Sequence, residues 1–341
     1  MDTLRTTCEF APSASLAAIE KRSNLLRKLR DFFYERKFTE VETPLLASEI
    51  IPELHIEPIA AATTATATVP GSLDSRDEVN WWLQASPELH MKRLLAAGAR
   101  AIFQITRSFR AGERGPLHSR EFTLVEWYRV GDDMQAGMDL LDELTQSLLG
   151  TPPATRTSYA EVFDRSIHLS PHAATIDELA DAAAKTNVAL PVGMNRQNRD
   201  EWLNLMLASR VEPQLGRDRP EIVYHYPATQ AALAKVVATG AGYDVAERFE
   251  LYYRGVELAN GYHELTDAAE QRRRFEAVNA ARQADGRRAL PLPESLLAAM
   301  EHGLPDCTGV ALGFDRLVML AVGAQSIDEL VTLSLRRDTI K

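Results

Sequence analysis

FRAGERGPLHSREFTLVEWYR, residues 109–129, reads as little other than an antiparallel hairpin, and it carries charge where a core strand has none. Ala-Gly-Glu-Arg-Gly-Pro at its centre is turn material, while the flanks AIFQITRSFR and EFTLVEWYR are dense in β-branched and aromatic residues. Yet Arg110 and Glu121 stand at the loop-facing ends, His118 lies between them, and Glu126 falls inside the second strand beside Leu124 and Trp127-Tyr128. A solvated turn with chance ion pairs is one account of the set. Glu126 resists it, because an unpaired carboxylate on a half-buried strand is costly. It needs a cationic partner, either a local arginine such as Arg129 or a cationic ligand.

The surrounding pattern gives the fold class. From Ser15, apolar residues recur at helical spacing through Leu16, Ile19, Leu25, Leu29 and Phe33, and TEVETPLL follows as a short strand stopped by Pro44. Residues 1–14 read as a loose tail and 60–80 as an exposed loop. WWLQ reads as a strand, and Ser86-Pro87-Glu88 as a helix opening with Ser86 as N-cap and Pro87 in the first helical position. Residues 133–149 and 175–210 read as helical, and 221–233 and 246–265 return to strand patterning. Two further helices precede GVALGFDRLVMLAVGA, a Gly-rich strand end running into an apolar helix. Hairpins in place of regular βαβ units point to an α+β fold with a mainly antiparallel sheet flanked by helices. One domain over 15–341, with a helical insertion at about 151–215, accounts for the order.

Composition excludes more than it selects. A formal net charge of −10 speaks against a protein that simply coats nucleic acid, although it leaves room for a local basic groove. Cys8 and Cys307 have no metal-ligand spacing and form no disulfide framework. Neither a signal peptide nor a bilayer-length apolar run is present, so a cytoplasmic location and no membrane partner are expected.

Two other stretches repeat the oddity of the hairpin. ELYYRGVELANGYHEL sets Glu250 and Glu257 seven apart, on opposite faces of a continuous strand or on one face if Arg254-Gly255 turns the chain back. With Asn260 and Glu264 they make a run of carboxylates that either is solvated or attracts a divalent cation, and magnesium usually arrives with substrate phosphates. No GxxxxGK[ST] loop exists to hold those phosphates. In GVALGFDRL, Gly309 and Gly313 clear space for a close approach and Arg316 opens the helix.

In that order, an arginine-bearing hairpin, an acidic strand and a Gly-rich strand ending in Asp-Arg resemble the pattern of class II aminoacyl-tRNA synthetases, with the first helix and VETPLL, including Pro44, similar to motif one, FRAGERGPLHSREFTLVEWYR to motif two and GVALGFDRL to motif three. ELANGYHEL and the TLVEWY ending are similar to the lysine subgroup, over about residues 15 to 335. Lysyl-tRNA synthetases carry an anticodon-binding β-barrel before motif one. Here motif one begins almost at once, and SPELHMKRLL, WYR and VYHYPATQAAL resemble the elongation factor P lysine ligase family instead.

The resemblance implies a class II catalytic core that uses ATP and Mg²⁺ to activate β-lysine or lysine as an adenylate. The acyl group then passes to a lysine side chain of elongation factor P, with tRNA not expected as a partner and motif one forming a homodimer. It implies Arg110 on the α-phosphate and the substrate carboxylate, Phe122 and Arg316 around adenine, and His118 by the terminal phosphates. Glu250 and Glu257 would hold magnesium, and Ala111, Gly112, Glu113, Ser119, Leu258 and Gly313 would complete the ATP site. Ser86, Pro87 and Glu88 would meet the substrate's amino group near the reacting end. Glu126, Tyr128, Asn260, Tyr262 and Glu264 would surround its distal ammonium, with Ala311 on the floor.

Several positions depart from that pattern. Arg110-Ala111-Gly112-Glu113 replaces Arg-Asn-Glu, so either Glu113 or backbone groups read adenine. Ser119-Arg120 replaces Asn-Pro, and Ala311 stands where the tRNA enzymes carry glycine. One methyl on the pocket floor is worth about 1–3 kcal/mol of discrimination, here in favour of β-lysine. No general base for the acceptor amine is marked; the pocket carboxylates or desolvation on docking would serve. Arg272, Arg273, Arg274, Arg287 and Arg288 read as a solvated helix face or as a docking patch for an acidic partner. The competing readings are a tRNA-charging lysine enzyme, a non-catalytic amino-acid-binding paralogue and an asparagine-forming relative, the last disfavoured because Glu126 and Glu264 would repel an acidic substrate.

Overall fold

The fold was described from a computed structural model covering residues 12–61 and 81–333; most of the expected tail and of the 60–80 loop, and Cys8, lie outside the described residues. Helix α1 (Leu16–Glu35) is capped by Ser15, whose hydroxyl accepts from the Ala18 N–H, and its buried stripe of Leu25, Leu29, Phe32 and Phe33 has the period of a helix face. TEVETPLL is shared between two sheets: β1 (Thr39–Glu40) enters the main sheet, and beyond Pro44 the short β2 (Leu46–Ala47) joins a small one with β3 (Ile59–Ala61) and β4 (Trp81–Leu83).

Helix α2 (Glu88–Ala96) begins one residue later than the sequence suggests, with Pro87 in the cap position. The Ser86 hydroxyl still accepts from the Glu88 N–H at 3.1 Å, but in a tighter turn that leaves it free to donate elsewhere. The hairpin follows as β5 (Ala101–Phe109) and β6 (Glu121–Val130), then α3 (Met134–Leu149). Between β7 (Thr155–Ser158) and β8 (Glu221–Pro227) lie α4 (Tyr159–Ile167), α5 (Ile176–Lys185) and α6 (Arg199–Met206). The single helix expected over 175–210 is therefore broken, and Asn187 at φ 54°, Pro191 and Gly193 mark where the chain cannot continue helical. The chain closes with β9 (Val236–Ala238), the hairpin β10 (Asp244–Tyr253) and β11 (Val256–His263), α7 (Ala268–Ala284), α8 (Glu294–Gly303), β12 (Cys307–Gly313) and α9 (Phe314–Val322).

The main sheet runs β1-β5-β6-β12-β11-β10-β8-β7, antiparallel except for the β1–β5 and β7–β8 pairs. On one face Val125, Trp127, Phe249, Val310 and Leu312 pack under α1, α3 and α9 in the largest core. Helices α4 and α6 bury Tyr159, Phe163 and Trp202 against Tyr226 and Tyr252 in a second cluster. Arg22 pins α1 to the sheet: it pairs with Asp315 at 2.6 Å and donates to Thr123, while the Thr123 N–H donates to the other oxygen of Asp315. Helix α1 is thereby bolted to β6 and α9.

Candidate active site

Side chains on one strand face recur every second residue. The register therefore lines up Gln104, Glu126, Ala311, Asn260 and Glu250 across β5, β6, β12, β11 and β10, and Ile102, Tyr128, Gly309, Tyr262 and Arg248 in the next row. The middle members of these rows, Glu126, Ala311 and Asn260 with Tyr128, Gly309 and Tyr262, line a narrow recess of about 120 Å³ together with Ser86, Glu88 and Glu264. Gly309 is required there: a Cβ would lie 2.2 Å from the Tyr128 ring and 2.3 Å from a Glu264 carboxylate oxygen.

Among the described residues no arginine pairs with Glu126. Arg129 turns to Asp132 at 2.6 Å, so the cationic partner the sequence suggests is not on this residue. Glu126 instead accepts from the hydroxyls of Tyr128 (2.6 Å) and Ser86 (2.8 Å). Desolvation first, then repulsion from Glu88, pushes its pKa up to about 8, against the pull of both hydroxyls. The protein meets the cost by holding a proton on it.

Glu264, expected to face the substrate's distal ammonium, already faces one. The Lys92 ammonium lies 2.7 Å from Glu264 and 2.5 Å from Glu88, and the lysine is 1 % exposed. Burial alone would lower the pKa of Lys92, but Glu264 and Glu88 outweigh it and keep the ammonium charged. Desolvation lifts Glu264 to about 7 despite Lys92. Its Oε2 contact is an ion pair without hydrogen-bond alignment.

A second cavity, about 850 Å³, opens beside the first and is lined by Arg110, Glu113, His118, Ser119, Phe122, Glu257, Leu258, Gly313 and Arg316. Its size suits a nucleotide, where the narrow recess suits only an extended chain. Arg110 stands 5.0 Å over the Phe122 ring and is paired at 3.0 Å with Glu113. Ala111 and Gly112 line neither cavity; the Ala111 amide donates to the Glu57 carbonyl and its carbonyl accepts from Arg120. Arg316 donates to Leu117 O, to Glu257 and to Nε2 of His118 at 2.7 Å. Burial and then Arg316 lower the His118 pKa, which keeps the ring a neutral acceptor. Gly313 needs no protein space, since a Cβ there would meet only ordinary contacts of 3.7 Å and beyond.

The Arg254-Gly255 turn folds Glu250 and Glu257 onto one hairpin, and repulsion from Glu250 adds to desolvation in raising the Glu257 pKa. Their surroundings differ. Glu257 opens to the large cavity, whereas Glu250 is buried, paired with Arg248 and accepting from Tyr226 and Tyr252 at 2.5 Å each. Among the described residues no three acidic, histidine or cysteine side chains cluster as a metal cage. Glu257 keeps a carboxylate facing the large cavity, whereas both oxygens of Glu250 already have protein partners.

Sequence reasoning missed Lys92, Arg248, Glu53 and Arg282. Lys92 was findable: it stands four after Glu88 on the helix face that buries Leu89, Met91 and Leu95. The basic run is not simply a solvated face. Arg272 pairs with Glu294, Arg273 and Arg274 with Glu270, Arg287 donates to Leu54 O, and Arg288 covers the Trp82 ring.

A mainly antiparallel sheet with an acidic recess and an arginine-bracketed cavity on one face defines a class II synthetase catalytic core. The family described as tRNA synthetases class II (D, K and N) matches residues 8–336. The elongation factor P–(R)-β-lysine ligase of Klebsiella pneumoniae is 44% identical over 331 residues, covering 97% of this chain and 99% of the relative. That of Edwardsiella ictaluri is 45% identical over 328 residues, covering 96% and 98%, and that of Salmonella typhimurium 42% over 331, covering 97% and 99%. The chain belongs to the class II synthetase family and is an ATP-dependent ligase. Among the described residues no helix is long and apolar enough to cross a membrane.

Proposed function

We propose that this enzyme activates (R)-β-lysine, or lysine, as an aminoacyl-adenylate and transfers the acyl group to a lysine side chain of elongation factor P in the cytoplasm. The observation that carries the reading is the recess of Glu88, Glu126 and Glu264, which opens directly beside the cavity of Arg110 and Arg316. Lys92 neutralises part of that acidity, so the recess presents capacity for a substrate ammonium without exposing three free carboxylates.

Arg110 sits where both cavities meet and can bridge the substrate carboxylate and the α-phosphate with its planar fork. Freeing it requires release of Glu113. Phe122 and Arg316 offer faces for adenine, and His118 reaches the phosphates from the motif-two loop. Bound magnesium, held through Glu257, would neutralise triphosphate charge. Activation is positioning and charge neutralisation, so no protein nucleophile is needed. Ala311, between Glu126 and Asn260 on the recess floor, selects β-lysine over lysine. A homodimer through motif one is supported by the exposure of Leu16, Tyr34, Leu45 and Leu46, and sedimentation mass checks it.

The deciding experiment is mass spectrometry of purified elongation factor P after incubation with the enzyme, ATP and either amino acid. A mass gain of one lysyl group, larger with β-lysine, is expected. An unmodified factor with tRNA charged instead would overturn the reading.

A further inference from the structure

Seven residues line both cavities, and among the described residues Glu53 is the one carboxylate they share; Arg110 is the one cation. The place where the occupant of the recess meets the nucleotide is therefore flanked by one guanidinium and one titratable carboxyl group. We propose that Glu53 is the general base that takes a proton from the incoming acceptor ammonium in the transfer step. This rests on the functional reading above and deepens it.

The geometry separates Glu53 from the other acids of the site. Glu88, Glu126 and Glu264 line only the recess, where the substrate's own amino groups are met, and Glu257 lines only the nucleotide cavity. Among the described residues no donor or cation is bonded to the Glu53 carboxylate, which reaches open cavity. Its backbone is nevertheless firmly held. Arg282, fully buried behind it, donates to Glu53 O at 3.0 Å and to Ile56 O, and pairs with Glu57 at 2.8 Å. Arg287 donates to Leu54 O. The Ala111 amide donates to Glu57 O, which ties this segment to the loop of Arg110. Such anchoring places a side chain without using up its functional atoms, as a catalytic base requires.

The charges facing Glu53 are Glu88 from α2, Arg110 from the motif-two loop, Arg248 from β10 and the Tyr262 phenol from β11. Enclosure and Glu88 raise its pKa, the arginines restrain it, and it stands at about 7, poised to accept a proton near neutral pH. The need is plain, since a lysine amine with an ordinary pKa near 10.4 is neutral in roughly one molecule per thousand at physiological pH. In the step, Glu53 takes one proton from the ammonium and the neutral amine attacks the adenylate carbonyl carbon. The N–C bond forms, the C–O bond to phosphate breaks, AMP leaves with the electron pair, and the second nitrogen proton passes to water.

The test compares wild type with Glu53→Gln in three measurements: pyrophosphate exchange, hydroxylamine trapping of the adenylate, and single-turnover acylation of elongation factor P. Hydroxylamine is a neutral nucleophile at pH 7 and needs no base. Exchange and trapping are expected within about threefold of wild type, with acylation slowed roughly 100-fold, a typical contribution of general-base catalysis. The wild-type acylation rate rises with pH and levels off above about 7, as Glu53 ionises, whereas the variant keeps rising with the amine's own ionisation. Equal losses in all three measurements would make Glu53 a substrate-binding residue and overturn the proposal. Unchanged acylation would overturn it too. Trapping by wild type without any acylation of the factor would remove the acceptor reading and the role of Glu53 with it. A matched unfolding midpoint guards against misfolding, and the anchors on this segment run through backbone carbonyls that glutamine keeps.

Discussion

Replacing Glu126 with glutamine should stabilise the fold at alkaline pH while impairing the enzyme. Glu126 is 2 % exposed, and among the described residues its only bonds are from the Ser86 and Tyr128 hydroxyls. An amide is nearly isosteric and keeps both: its oxygen accepts from Tyr128, and its NH₂ donates to Ser86 Oγ. The folded pKa of about 8 lies above the ordinary 4.5, so between those values the native state holds a proton that the unfolded chain has released. Stability from this group is therefore fully present below pH 4.5 and is lost as pH rises through about 8. At about 1.4 kcal/mol per pKa unit the ceiling is roughly 5 kcal/mol, and relaxation and water entry reduce it to about 1–3 kcal/mol. Chemical denaturation at pH 4.5 should show near equality of the two proteins, and at pH 8.5 the variant should lead by that margin. Lysine binding should fall in the variant, because the wild-type carboxylate releases its proton when an ammonium arrives. Calorimetry in buffers of different ionisation enthalpy would read that release directly. A pH-independent stability gap, or a variant weaker than wild type at pH 8.5, would refute the claim that Glu126 is buried without a cation.

Two glycines on β12 should behave oppositely: Gly309→Ala forces a methyl into Tyr128 and Glu264 and should cost about 1–3 kcal/mol with lysine binding lost, whereas Gly313→Ala should leave the unfolding midpoint unchanged and weaken ATP binding by protruding into the larger cavity. Equal effects on stability would contradict the placement of the two residues. Lys92→Met strands Glu88 and Glu264 in the interior and should cost about 3–5 kcal/mol above pH 7. Because Glu264 titrates at about 7, the defect should shrink as pH falls to 5.5, and a defect that grew on acidification would argue against the ion triad.

What could be read from the sequence is what is written within one strand or one turn. Glu126 inside TLVEWY, the Asn260–Glu264 run and the glycines of GVALG are local anomalies in period-two patterns, and antiparallel register then carries them into adjacent rows. Pro191 and Gly193 are equally local signals of the break over 186–198, which a helical reading of 175–210 overlooks. Unreadable were the charges that depend on what covers the sheet. Lys92 reaches Glu264 across 172 positions of chain, and the loop of Glu53 is set by Arg282, which lies 229 residues further on. A carboxylate in a strand announces that it needs compensation, but not whether a lysine, two hydroxyls or a proton supplies it. Glu264, Glu126 and Glu250 are compensated in three different ways. Only the proton on Glu126 can leave without breaking a bond between side chains, which makes Glu126 the member of the set whose charge a substrate ammonium can call out.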